Sequence, residues 1–117
     1  MLKSFRDAFR GIGLAFRSER NLRIHLGAAV LVISAMRWLN IDKTQGAILL
    51  LCIGMVMAAE VFNSALEALA DVVQPEHDER IRRVKDISAG AVLLLALVAA
   101  LIGAIVLLPP LIERLNP

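Results

Sequence analysis

The sequence predicts an all-α membrane protein, an N-terminal amphipathic surface helix followed by three transmembrane helices, in a single membrane domain over residues 1–117. Three observations lead there. The chain is 58% hydrophobic with a mean hydropathy of +0.70, well above the balance of an ordinary soluble domain. Residues 46–59 and 87–108 are apolar runs, the first continuing as a helical pattern to 73, and each is long enough to serve a helix crossing about 30 Å of hydrocarbon. Finally, Leu2, Phe5, Phe9, Ile12 and Phe16 recur at spacings of three and four, the period of a one-faced helix.

That last pattern defines the amphipathic helix, residues 1–20. Lys3, Arg6, Arg10 and Arg17 fill its other positions, which suits an anionic lipid surface or packing against the remaining helices. Gly11 and Gly13 make a GxG, but Phe16 occupies the place of a third glycine and no strand precedes it, so this is not a dinucleotide fingerprint. The first twenty-three residues are too polar for a short basic leader, and the N-terminus is expected in the mature protein.

From Ser18 to His25 polar groups crowd the start of the first transmembrane helix, 24–40. Glu19, an acid among Arg17, Arg20 and Arg23, reads equally as a salt-bridged surface residue or a metal ligand; His25 reads as a boundary histidine with a local hydrogen bond. His25 and Arg37 lie near the ends of this span, where such groups reach the headgroups. Residues 40–45 then form a turn joining antiparallel spans.

The second span, 46–73, is apolar for fourteen residues and then carries Glu60, Asn63, Ser64, Glu67 and Asp71 within about a third of the helix circumference. One acid near the middle of a spanning helix costs about 2.5–3.5 kcal/mol, so three demand a specific use. Cys52 lies in the apolar part with no partner for a disulfide and is expected to pack. Pro75 should end the helix.

Residues 74–79 form an acidic turn, followed by Arg80, Arg82, Arg83 and Lys85. Ten of the thirteen Lys and Arg lie before residue 24 or in this loop, leaving only Arg37, Lys43 and Arg114 for the other side. By the positive-inside rule the N-terminus and the polar half of the second span face the cytoplasm. In the third span, 86–108, Ala96, Ala100 and Ala104, with Ala99 and Gly103 beside them, allow close helix approach; Pro109 and Pro110 are expected to stop it.

If the helices bundle, Glu19, the stripe carboxylates and the Lys85-Asp86 pair would converge. Oxygen ligands of this kind suit Mg²⁺, and a neighbouring lysine suits phosphates. Phosphoryl transfer needs such parts, yet no Walker loop and no kinase HRD or DFG sequence is present. A proton- or ion-translocating subunit also buries carboxylates, but usually one near mid-bilayer rather than a stripe running to the interface. A non-enzymatic assembly subunit would use the stripe for helix–helix hydrogen bonds, worth only about 0.6 kcal/mol each, too little to offset three acids.

Glu60-Val-Phe-Asn63-Ser64-Ala65-Leu66-Glu67 with Asp71, then Lys85-Asp86 before Ala89-Gly90-Ala91-Val92, resembles the signature of the prokaryotic diacylglycerol kinase and undecaprenol kinase family, with Glu19-Arg-Asn21 to His25 adding to it. The Glu-Arg-Asn-x-x-x-His and Ala-Gly-Ala-Val elements look more like the undecaprenol branch. The resemblance implies a small trimeric lipid kinase of the bacterial inner (cytoplasmic) membrane, with sites shared between subunits. It implies ATP- and Mg²⁺-dependent phosphorylation of a membrane lipid alcohol: diacylglycerol to phosphatidic acid, or undecaprenol to undecaprenyl phosphate. Carried onto this chain, it makes Glu60 the general base, with Asn63 and Asp71 also catalytic, and Glu19 and Glu67 the Mg²⁺ ligands. Lys85 and Asp86 would meet ATP, with Glu76, His77 and Asp78 beside it. The expected partners are the lipid, ATP and two further copies of the chain, with no nucleic acid. Leu66 and Val84 depart from residues common in relatives without removing a chemical group.

Overall fold

A computed structural model describes all residues, 1–117, as four helices: α1 (Leu2–Ser18), α2 (Arg20–Trp38), α3 (Lys43–Val73) and α4 (Glu79–Leu115). α3 is the central element, packing along α4 on one side and α2 on the other, while α1 touches both α2 and α3. Two helices, α3 and α4, are long and apolar enough to cross a membrane. Only 22% and 11% of their apolar windows are buried within the chain, so most of that surface faces outward, as a lipid or a neighbouring subunit requires rather than as a soluble core would. α2, 19 residues and about 28 Å long by rise, carries charge near both ends and lacks an apolar window of that quality.

α1 keeps its exposed apolar edge, with Phe5, Phe9 and Ile12 not covered by the other helices, and on its polar side Arg10 pairs with Asp7. It ends two residues earlier than the spacing suggested. Glu19 breaks the helix with extended backbone (φ −104°, ψ 113°) and serves as both the last cap of α1 and the first of α2. Arg23 reaches back across the break, donating from Nη1 to the Phe16 carbonyl at 2.7 Å and the Arg17 carbonyl at 2.9 Å. Those carbonyls have no intrahelical partner at a helix end, and a cation there also meets the negative end of the helix dipole. Leu22, fully buried, anchors the start of α2.

The turn between α2 and α3 is tighter than residues 40–45. Asn40 takes a left-handed conformation (φ 54°), which asparagine tolerates, and Asp42 accepts from the Gln45 amide at 2.9 Å, starting α3 at Lys43. Gly46 is buried there, and any Cβ on it would lie 3.1 Å from Met36 Cε, so α2 and α3 meet over a glycine. α3 ends at Val73, just before Pro75 as expected.

α4 departs from the sequence reading at both ends. It begins at Glu79 rather than 86, because Asp78 caps it by accepting from the Arg80 amide at 2.8 Å. It also runs through Pro109 and Pro110 to Leu115, correcting the expectation that they stop it. Proline's fixed φ is itself helical, and what it removes is one backbone donor per residue. Beyond the prolines, Arg114 stacks its guanidinium 4.7 Å from the Trp38 ring centroid, joining the far ends of α2 and α4.

Candidate functional site

The polar stripe survives folding as one face of α3. Glu60 is only 3% exposed, and Asn63 and Ser64 are buried beside it. The Ser64 hydroxyl donates to the Glu60 carbonyl at 2.9 Å, an i to i−4 bond that satisfies the hydroxyl within the helix and leaves the Glu60 carboxylate out of it. One turn onward, Asn63 Nδ2 donates to Glu67 Oε1 at 3.4 Å. That leaves Asn63 Oδ1 buried with no partner, beside a half-buried carboxylate. A buried acceptor without a donor is costly, and this one belongs to the side chain whose amide nitrogen meets Glu67.

An unpartnered buried oxygen of this kind is a candidate donor for a magnesium ion. Mg²⁺ takes oxygen ligands and typically one or two carboxylates, keeping waters and phosphate oxygens for the remaining positions. Glu67 with the free Asn63 oxygen fits as part of such a set. The chain does not gather three His, Cys, Asp or Glu side chains into one cluster, so Glu19, Glu60 and Glu67 do not form a three-carboxylate centre within one copy. Glu19 is half-buried at the break between α1 and α2, both of which touch α3.

A second polar feature lies at the end of α3. Lys85 Nζ donates to Asp71 Oδ1 at 2.5 Å across the α3–α4 turn. Sequence adjacency suggested Lys85 and Asp86 acting as a pair, but consecutive helical residues point about 100° apart, and Asp86 is exposed while Lys85 turns to α3. Asp71, Glu76, His77, Asp78 and Lys85 line one cleft of about 180 Å³, so the structure does bring the loop residues to the lysine. Arg82 lines it too and was missed; its place three residues before Lys85, on the same helical face, was the available signal. His77 Nε2 lies 3.1 Å from Glu79 Oε1. Asp78 is held by Arg80 through both side chain (Nη2 to Oδ2, 2.9 Å) and backbone, and these bonds lower its carboxyl to about 2.

His25 stands apart from both features, at the edge of an apolar groove of about 360 Å³ between α2, α3 and α4 whose walls include Cys52, Val56, Ala96 and Gly103.

Comparison with known proteins identifies the family of the chain. The family model for prokaryotic diacylglycerol kinase matches residues 6–107. A diacylglycerol kinase of Synechocystis sp. is 42% identical over 114 residues, covering 97% of this chain; the chain spans 65% of that relative's length. An undecaprenol kinase of Bacillus subtilis is 34% identical over 109 residues, covering 93% of this chain and 89% of the relative. A diacylglycerol kinase of Escherichia coli is 30% identical over 107 residues, covering 92% and 88% respectively.

Proposed function

Because this chain belongs to the prokaryotic diacylglycerol kinase family, we propose that it transfers the γ-phosphoryl group of ATP to the hydroxyl of a membrane lipid alcohol, diacylglycerol or undecaprenol. Its relatives bear both names, and overall identity is higher to the Synechocystis diacylglycerol kinase although two short motifs lean towards undecaprenol. The observation that carries the reading is the face of α3, where a buried Glu60 is followed two turns later by Glu67 and the unpartnered Asn63 oxygen.

α3 and α4 cross the bilayer, and α2 is the third span, short and closed at its ends by Arg20, Arg23 and Arg37. α1 lies on the cytoplasmic surface of the bacterial inner membrane, with Phe5 and Phe9 towards lipid. The outward apolar surface of α3 and α4 is shared between lipid and two further copies in a homotrimer, which lets the polar residues of one copy meet those of the next.

In this arrangement Glu60 takes the proton from the lipid hydroxyl as its oxygen attacks the γ-phosphorus. The bond to the bridging oxygen of ADP breaks, and the proton passes from Glu60 to water. Such transfer is mostly positioning and charge neutralisation, so the remaining residues orient rather than react. Glu67 and Glu19, with the Asn63 oxygen, would hold Mg²⁺, which when bound neutralises charge on the phosphoryl oxygens. Lys85 holds a phosphate as a point charge, Asp71 aims Lys85, and Asp86 with the loop residues Glu76, His77 and Asp78 borders the nucleotide.

Incubation of the purified protein with labelled ATP and a panel of diacylglycerol and undecaprenol tests this. Label is expected in one of the two lipids, dependent on Mg²⁺; transfer to neither would overturn the reading.

A further inference from the structure

The break between α1 and α2 has neither glycine nor proline to impose it. It is held instead by one side chain. The last carbonyls of α1 are those a helix cannot satisfy internally. The Glu19 amide takes the Ala15 carbonyl at 2.9 Å, and the Ser18 hydroxyl donates to the same oxygen at 3.4 Å. The next two, Phe16 and Arg17, receive a single guanidinium nitrogen of Arg23, which belongs to the following helix.

Glu19 is the residue at which the direction changes, and its extended backbone means that neither helix dictates where its carboxylate points. Its position follows from the angle between α1 and α2. The Arg23 bonds tie the end of α1 to α2 across that angle, between buried Ala15 on one helix and buried Leu22 on the other. Without Arg23, these two exposed carbonyls turn to water or to the amides of Arg20 and Asn21, and the second choice continues the helix through Glu19. Glu19 would then swing onto a helical face.

We infer that Arg23 is a positioning residue: by bridging the Phe16 and Arg17 carbonyls it holds the α1–α2 break and thereby places the Glu19 carboxylate for Mg²⁺. The inference rests on the reading of Glu19 as a magnesium ligand, and the experiment separates the two. Spin labels at Gly13→Cys on α1, where an added Cβ meets nothing within 4 Å, and Leu69→Cys on α3, 60% exposed, report the α1–α3 distance in a Cys52→Ser background diluted with unlabelled protein. Mn²⁺ affinity is read by electron paramagnetic resonance with a non-hydrolysable ATP analogue present.

Arg23→Gln is expected to broaden the distance distribution and raise the Mn²⁺ dissociation constant about tenfold or more, the scale of losing an outer-shell partner of a metal ligand. Arg23→Lys, keeping charge and donors, should recover most of both, whereas Arg23→Met, keeping the bulk without the donors, should not. An unchanged distance distribution in Arg23→Gln overturns the proposal. So does a broadened one with unaltered Mn²⁺ affinity when Glu19→Gln weakens it. If Glu19→Gln itself left Mn²⁺ affinity unchanged, the metal reading of Glu19 would fail, and the distance measurement alone would decide whether Arg23 holds the break.

Discussion

Lys85 Nζ lies 2.5 Å from Asp71 Oδ1, the only ion pair that joins one helix to another in this chain. Both groups stay in contact with water, Lys85 at 34% and Asp71 at 64% side-chain exposure, so the pair adds no more than about 1 kcal/mol to stability. Its consequence is directional: an extended, flexible lysine is aimed along the cleft that Glu76, His77 and Asp78 border.

Lys85→Ala should therefore separate binding from folding. Losing a charge-assisted contact to phosphate, about 1.5–3 kcal/mol, raises the KM for ATP about 10- to 100-fold. The melting temperature should scarcely move. A variant that failed to fold would show that the pair is structural instead.

Glu67→Gln should abolish Mg²⁺-dependent turnover and leave the protein inserted, because it removes a negative ligand and also relieves the membrane of a charge. The amide still accepts the Asn63 Nδ2 bond through its oxygen, so the local hydrogen bond is kept. Turnover against Mg²⁺ concentration, beside a thermal melt in detergent, checks this. Near-normal activity at low Mg²⁺ would remove Glu67 from the metal site.

The Asp78 cap gives a pH dependence whose sign follows from its partner. Hydrogen bonds from Arg80 lower the carboxyl from 3.8 to about 2, so its help to the α4 start is complete above pH 3.8 and is lost as the pH falls through about 2. Proteolytic nicking of residues 74–79 should stay flat from pH 7 to 4 and rise below that, measured with an acid-active protease. In Asp78→Asn the rise should be absent.

How far these features were legible depends on their range. The stripe was readable because helical period alone puts Glu60, Asn63, Ser64 and Glu67 on one face, and folding confirms the first three as buried. The caps Asp42 and Asp78 were readable in principle, since each acid precedes a helical run and Asp42 stands three before Gln45. The break at Glu19 was not, because it depends on Arg23 folding back on carbonyls six and seven residues earlier. The passage of α4 through Pro109 and Pro110 was hidden for the opposite reason: the local rule is strong, but the Arg114 contact with Trp38 lies beyond the reach of any window.

The proposed orientation rests on the charge distribution and can be tested directly. A cysteine at position 79, in a Cys52→Ser background, should resist an impermeant reagent added outside intact cells and react once the membrane is opened. The same loop must then meet ATP. Strong labelling from outside would invert the proposed topology and remove the nucleotide supply.

Glu60 carries the most specific prediction. It is the first acid of the stripe and, at 3% exposure, the most buried ionisable side chain of α3, while Glu67 is half-buried and Asp71 is open to water. Exposure thus rises along the helix from Glu60 to Asp71, and the proposed roles follow the same order, the base at the covered end and the phosphate-side groups at the open one. Glu60 and Glu67 are about 10 Å apart by rise, enough to separate proton abstraction from phosphate binding. A positioned base contributes about 10²–10⁴-fold, so Glu60→Gln should lower kcat by that factor while the KM for ATP changes little. The isosteric amide keeps the shape of the buried side chain, and the Ser64 bond uses only the Glu60 backbone, so folding is not the expected casualty. Collapse of nucleotide binding with kcat near wild type would reassign Glu60 as a metal or structural residue.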